Sequence, residues 1–302
     1  MFSKVIVLIL SYNGKDLLKD SISSYLSNDY ENFEVVVIDN GSTDDTKSFV
    51  ELEWPKISLL RTEKNLGYSG GFNFGLKYAF KEKQADFVLI TNNDVKSDSR
   101  AISELVKVAK KNSMIGFVTG KVFYFDKPNV LQTVGKKEDP VLWNGGHIGH
   151  REIDKGQYDS IQERDFIDDI FMLVSKDLYF KIGGYDTEFF LQYEDFDWQA
   201  RAKKKGFKIF YTPFAKIWHK ESMTIGKMSF RTVFYVSRNH IVVVLKHKEK
   251  SFLKPFFISI FKNKLIKATG KHLIKGKFDA CAAIWLGFFS ALGWGLKNRF
   301  LR

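Results

Sequence analysis

The chain predicts an α/β fold, a mostly parallel sheet flanked by helices, with a basic helical segment after it. Three observations carry this expectation. Short apolar runs at 4–10, 33–38, 57–60 and 87–90 alternate with stretches of helical periodicity, as in parallel strands joined by right-handed crossovers. Two of these runs lead to an aspartate, Asp39 and Asp94, and ligands in open α/β sheets sit outside the carboxyl ends of the strands. Charge is also segregated: the 302 residues carry a formal +12, and residues 246–302 hold 13 Lys and Arg against only Glu249 and Asp279, a net +11. Two functional segments are therefore expected, 1–225 and 226–302.

The elements follow in order. The run 4–10 is the first strand, too short and too soon polar for a signal-peptide core. Residues 16–26 place Leu17, Leu18, Ile22, Tyr25 and Leu26 at the spacing of an amphipathic helix. The strand 33–38 leads to Asp39, and the turn from Asn40 enters a helix with Ser42 and Asp45 spaced like a capping box. After the short strand 57–60 come Gly67, Gly70, Gly71 and Gly75. Such glycines permit close approach to a phosphate or merely to another element, with a helix expected over 72–81. The strand 87–90 runs into Asn92-Asn93-Asp94. That trio suits a divalent cation and its diphosphate, or simply a turn before a helix at 101–110 capped by Ser97 or Asp98.

The second half is less regular. A strand is expected over 117–125, and 127–164 is polar without period, its His147 and His150 lacking a partner at metal-ligand spacing and read instead as loop residues lining a substrate groove. A strand at 170–174 precedes a turn at Gly183-Gly184. A helix then opens at Glu194-Asp195, where the macrodipole favours acidic residues. Asp197 and Arg201 on it are spaced as a surface ion pair. A strand at 207–211 is expected to close at Pro213, and His219 follows a further apolar run. The single cysteine, Cys281, excludes an internal disulfide and fits a reducing compartment.

Taken together, Ser11-Tyr12-Asn13, Asp39-Asn40-Gly41-Ser42, the Asn65–Gly75 run, Asn92-Asn93-Asp94, Gly183-Gly184-Tyr185-Asp186, Glu194-Asp195…Arg201 and Trp218-His219 resemble the inverting nucleotide-sugar glycosyltransferases of family 2. Within them, the set is most similar to the rhamnosyltransferase-like branch. The resemblance implies the GT-A fold and assigns roles. Ser11, Tyr12, Asn13 and Asp39 match nucleoside-pocket positions, and Arg61 faces the nucleotide. Asn65, Gly71, Asn73, Asn92 and Asn93 pass beside the donor. Asp94 and His219 match metal ligands, Asp195 matches the general base, and Glu194 and Trp198 stand on the acceptor side. Asn92 departs from the family pattern, which usually has an aspartate there. The implied cofactor is thus a divalent cation, Mn²⁺ or Mg²⁺, on one carboxylate and one imidazole plus diphosphate, with imidazole tilting the choice toward Mn²⁺.

The implied activity is sugar transfer from a nucleoside diphosphate sugar, dTDP-rhamnose first, to a lipid-linked or cell-surface polysaccharide acceptor. UDP-hexose, UDP-N-acetylhexosamine and UDP-galactofuranose donors stay open, as does a non-catalytic binder of the same fold. The lysine and aromatic mixture after residue 246 fits helices lying on an anionic membrane surface, not nucleic acid, which favours arginine and polar contacts. The uncharged stretch 280–296 is short for a membrane span and interrupted by glycines. A cytoplasmic protein held at the inner face of the cell membrane is expected.

Overall fold

The computed structural model describes residues 2–220 and 229–300; the expected boundary at 225/226 falls outside them. The parallel half of the sheet is built from β1 (Val5–Ser11), β2 (Phe33–Asp39), β3 (Ser58–Arg61) and β4 (Phe87–Asn92), with β1 between β4 and β2, and β3 at the edge. α1 (Lys15–Leu26), α2 (Thr46–Glu53) and α3 (Gly67–Lys77) supply the crossovers. Alternate residues of β1 enter different cores. Val5, Val7 and Ile9 pack with Leu18, Ile22 and Tyr25 of α1, while Ile6 and Leu8 pack with Phe72 and Leu76 of α3. A strand covered on both faces needs apolar residues throughout, hence the unbroken runs in the sequence.

β5 (Val95–Ser97), α4 (Ala101–Ala109) and β6 (Ile115–Tyr124) follow β4. Beyond them, β7 (Lys127–Thr133) pairs antiparallel with β6, and β8 (Lys136–Lys137), β9 (Gly146–His147) and β10 (Gln162–Glu163) are two-residue ladders. β11 (Phe171–Ser175) lies antiparallel between β4 and β6, so the sheet is mixed in this half. α5 (Lys176–Ile182) and α6 (Glu194–Lys204) lead to β12 (Lys208–His219).

Several expectations change in the structure. The glycine run lies inside α3, not in a loop before it. A Cβ on Gly75 would meet Ile38 and Leu8, and one on Gly71 would meet Leu10, so the close approach is to the sheet. The helices after Asp39 and Asp94 lack the expected caps. Ser42 Oγ accepts from the Asn13 amide at 2.9 Å, and Asp44 Oδ1, not Asp45, accepts from Thr46 N at 3.1 Å. Ser97 sits in β5, and Asp98 Oδ1 takes the amide of Arg100. Pro213 does not end a strand; β12 absorbs it in a register shift between Tyr211 and Lys216 and runs on to His219.

The C-terminal helices are α7 (Phe230–His247), α8 (Lys250–Ser259), α9 (Thr269–Ile274) and α10 (Phe278–Gly295), with π-helical turns at Ile260–Ala268 and Leu296–Phe300. They share a core with the sheet domain: Ile241–Leu245, Phe256, Ile260 and Ala291 pack with Trp143, Phe166, Phe189 and Phe196. Gly287 lets α10 close on α7, since a Cβ there would lie 2.8 Å from the Phe234 carbonyl oxygen. Among the described residues, Phe278–Arg299 is long and apolar enough to cross a membrane, yet Ala280, Ala283 and Ala291 along it are buried within the protein.

Candidate active site

Strand ends place the polar residues. Ser11, Asp39 and Arg61 stand in register across β1, β2 and β3. Asp39 is fully buried: Oδ1 accepts from the Ser42 amide at 2.9 Å, while Oδ2 lies 3.1 Å from Arg61 Nη1 without an aligned hydrogen bond. Asn13 Oδ1 holds the Thr43 amide at 2.8 Å, and Arg61 Nη2 donates to the Ser42 carbonyl. This cluster fixes the loops at the carboxyl edge of the sheet.

Asp94 and His219 are 125 positions apart and meet because β5 pairs antiparallel with the end of β12, Val95 opposite His219. The Lys220 amide donates to the Asp94 carbonyl at 2.9 Å. Asp94 Oδ1 lies 3.2 Å from His219 Nε2, yet it has no hydrogen-bond partner. His219 Nδ1 lies 2.9 Å from Gln132 Oε1, an oxygen that only accepts, so Nδ1 donates there, and in the neutral ring Nε2 presents a lone pair. Two acceptors aimed at one another from buried side chains suit a cation between them, with Gln132 orienting the imidazole. No group of three or more His, Cys, Asp or Glu at metal-binding distance occurs among the described residues. A cation there would need further ligands beyond the described His, Cys, Asp and Glu side chains, such as a bound diphosphate or water.

A cleft of about 720 Å³ opens beside this pair. Of the residues singled out from the sequence, Tyr12, Asn65, Asn92, Asn93, Asp94, Glu194, Asp195 and His219 line it. Ser11, Asn13, Asp39, Arg61, Gly71, Asn73 and Trp198 are not among its lining residues. Gly71 is buried on Leu10 and Asn40, and both ends of the Asn73 amide are held by the Tyr185 backbone. Trp198 is a core residue, fully buried against Phe117 and Tyr185, with Nε1 donating to the Gly183 carbonyl. The Asp197–Arg201 pair, expected at the surface, is internal: Asp197 is fully buried and also takes Lys246 and His247 of α7.

Asp195 stands in the first turn of α6. Its Oδ1 accepts from the Phe196 amide at 2.8 Å and its Oδ2 from Lys136 Nζ at 3.1 Å. Lys136 also reaches Asp168 Oδ1 at 2.7 Å, and His147 Nε2 approaches the same oxygen at 3.1 Å. Burial alone would lower the Lys136 ammonium and raise the Asp168 carboxyl. Mutual attraction prevails, holding the lysine above and Asp168 well below their ordinary ranges. Asp168 likewise raises the His147 imidazole against its burial. Asp169 and Glu194 respond oppositely: burial, then neighbouring carboxylates, push both well above the carboxylate range. The site thus keeps Asp168 charged while favouring the neutral forms of Asp169 and Glu194.

Lys136, Asp168 and Asp169 are not singled out from the sequence, whereas His147, expected as a loop residue of a substrate groove, does line the cleft. A signal for the aspartates existed: Asp168-Asp169 stands immediately before the apolar run of β11. Because Phe171 pairs with Thr91, that end of β11 adjoins the carboxyl end of β4. Lys136 had no such signal. The turn before α6 is also unusual: Gln192 and Tyr193 have φ of 70° and 69°, a conformation rare outside glycine. Asn239 of α7 spans it, donating to the Leu191 and Gln192 carbonyls at 2.9 and 3.0 Å.

Residues 6–171 match the family model described as Glycosyl transferase family 2. Among curated proteins, the chain is 25% identical over 260 residues to poly-β-1,6-N-acetyl-D-glucosamine synthase of Staphylococcus aureus, covering 84% of this chain and 59% of the relative. The Staphylococcus epidermidis synthase is 25% identical over 240 residues, 78% of this chain and 55% of its own. The chain thus spans less than two thirds of the length of these relatives. Among solved structures, GalNAc-T7 with UDP, GalNAc and Mn²⁺ superposes with a TM-score of 0.68 at 14% identity, covering 99% of this chain and 57% of that one. A mannosyltransferase from Pyrobaculum calidifontis with GDP-Man and Mn²⁺ gives 0.58, also at 14% identity, covering 99% and 88%. The architecture is that of GT-A glycosyltransferases.

Proposed function

Because the chain belongs to glycosyl transferase family 2 and is a glycosyltransferase using a nucleotide donor, we propose that it transfers its sugar with inversion, Asp195 serving as general base. The observation that carries this reading is the convergence of Asp94, His219 and Asp195 on one cleft, from elements far apart in the chain. The acceptor hydroxyl attacks the anomeric carbon as the sugar–phosphate C–O bond breaks. Its proton passes to Asp195, and the bonding electron pair leaves with the nucleoside diphosphate. One displacement without a protein nucleophile inverts the anomeric centre.

A divalent cation held by Asp94 and His219 would neutralise charge on the leaving diphosphate. Lys136 orients the Asp195 carboxylate, and Tyr68, hydrogen-bonded to Asn92 Oδ1 at 3.1 Å, helps to shape the floor. The staphylococcal relatives favour a UDP-N-acetylhexosamine donor over the dTDP-rhamnose suggested by the branch resemblance. The acceptor on this reading is a lipid-linked or growing polysaccharide. The basic helices, with Phe278, Trp285, Leu286 and Phe289 exposed, would hold the enzyme on the cytoplasmic membrane surface.

The test is a thermal-shift screen of UDP-N-acetylhexosamines, UDP-hexoses, UDP-galactofuranose and dTDP-rhamnose with and without Mn²⁺ or Mg²⁺, followed by turnover of the stabilising donor. Asp195→Asn should retain the donor shift and lose turnover by about two to four orders of magnitude. Near-normal turnover in that variant would remove Asp195 from the chemistry.

A further inference from the structure

A second cavity, about 170 Å³, lies behind the cleft and shares Asn144, Tyr193 and Val236 with its wall. The C-terminal helices close it: His240 comes from α7, Ser259 from α8, and Asn263 and Lys264 from the π-helical turn that follows. No carboxylate lines it. Lys264 is nevertheless there, its Nζ donating to the Val236 carbonyl at 3.2 Å and, among the described residues, in no ion pair. An ammonium partly withdrawn from water, with no carboxylate beside it, favours an accompanying anion. Burial accordingly brings Lys264 down to about 8.

We propose that this cavity is a phosphate subsite, with Lys264 as its cation, contiguous with the acceptor side of the catalytic cleft. The inference deepens the transferase reading and rests on it for the direction in which the acceptor lies. Phosphate is favoured over an uncharged sugar because a neutral ligand would leave the ammonium unmatched. The outer side of the same turn exposes Phe261 and Ile266, each more than half exposed. A phosphate on Lys264 therefore has apolar surface on one side and the cleft on the other, the two ends of a lipid-linked acceptor.

The test measures binding by calorimetry on the full chain with the donor cleft filled by Mn²⁺ and UDP. The probes are farnesyl phosphate, farnesol and inorganic phosphate, against wild type, Lys264→Met and Lys264→Arg. Farnesyl phosphate should bind on the order of tenfold more weakly to Lys264→Met, as expected for loss of a charge-assisted contact, with Lys264→Arg close to wild type and farnesol unaffected. Inorganic phosphate matching farnesyl phosphate would support the subsite and assign it to the free anion. Equal affinity of farnesyl phosphate for wild type and Lys264→Met, with both folded by thermal melt, would overturn the proposal. Because the measurement involves no turnover, failure of the transferase reading would show in the donor screen and not here.

Discussion

Glu194 and Asp195 are neighbours in sequence but differ in their partners. Asp195 has Lys136 and a backbone amide, whereas Glu194 Oε2 is buried with no partner. Burial first, then Asp169 and Asp195, keep the Glu194 carboxyl well above its ordinary range. A carboxyl whose folded pKa exceeds its unfolded value costs stability once the unfolded chain ionises, above about pH 4, and the cost grows until the folded group ionises too. Glu194→Gln should therefore melt higher than wild type at pH 8, with the gap shrinking toward pH 4. A gap of constant size across that range would show that Glu194 is not held neutral. Asp168 has the opposite sign: held low by Lys136 and His147 against its burial, it stabilises the fold above about pH 4, and that contribution is lost on further acidification.

At the level of elements, the support for α6 comes from α7. Two consecutive left-handed residues, Gln192 and Tyr193, cost on the order of 1–3 kcal/mol each in strain, and Asn239 holds the carbonyls beside them. Asn239→Ala should lower kcat at least tenfold by loosening the Asp195 turn, with about 1–3 kcal/mol lost in urea unfolding. An unchanged kcat in a destabilised variant would confine Asn239 to folding. Little of this arrangement was legible in the sequence. The strands β1, β2 and β4 were, because runs buried on both faces are nearly all apolar, and the half-buried edge strand β3 showed only as a short apolar run. The helix α6 was visible through its acidic first turn, and Asp94, Asp195 and His219 through a family pattern. α5, β7 and the strand passing Pro213 were not. α5 is short, β7 is exposed in its first half, and a bulge removes the conflict that proline poses to a ladder. Lys136 was invisible because nothing local marks a lysine in a two-residue strand as the partner of an aspartate 59 positions away.

Across the whole molecule, charge and apolar surface coincide at the carboxyl end. Leu273, Ile274, Phe278, Trp285, Leu286 and Phe289 are exposed among helices that carry nearly all the excess positive charge. Each lysine near an anionic surface contributes on the order of 1 kcal/mol, attenuated by salt. The protein should co-sediment with vesicles containing phosphatidylglycerol and far less with pure phosphatidylcholine, and moderate salt should release part of it. Equal recovery with both vesicle types would remove electrostatics from the attachment, and DNA retardation without vesicle binding would redirect the charge to nucleic acid.

The bracing of the Asp195 turn by Asn239 has a consequence for how the molecule is made. A ribosome delivers β1 through β12, with every acidic group of the cleft, before it delivers the asparagine that steadies the turn. On the proposed role of Asp195, a nascent chain halted ahead of α7 should carry the full set of reactive side chains and still be inert, competence arriving when the late helices dock.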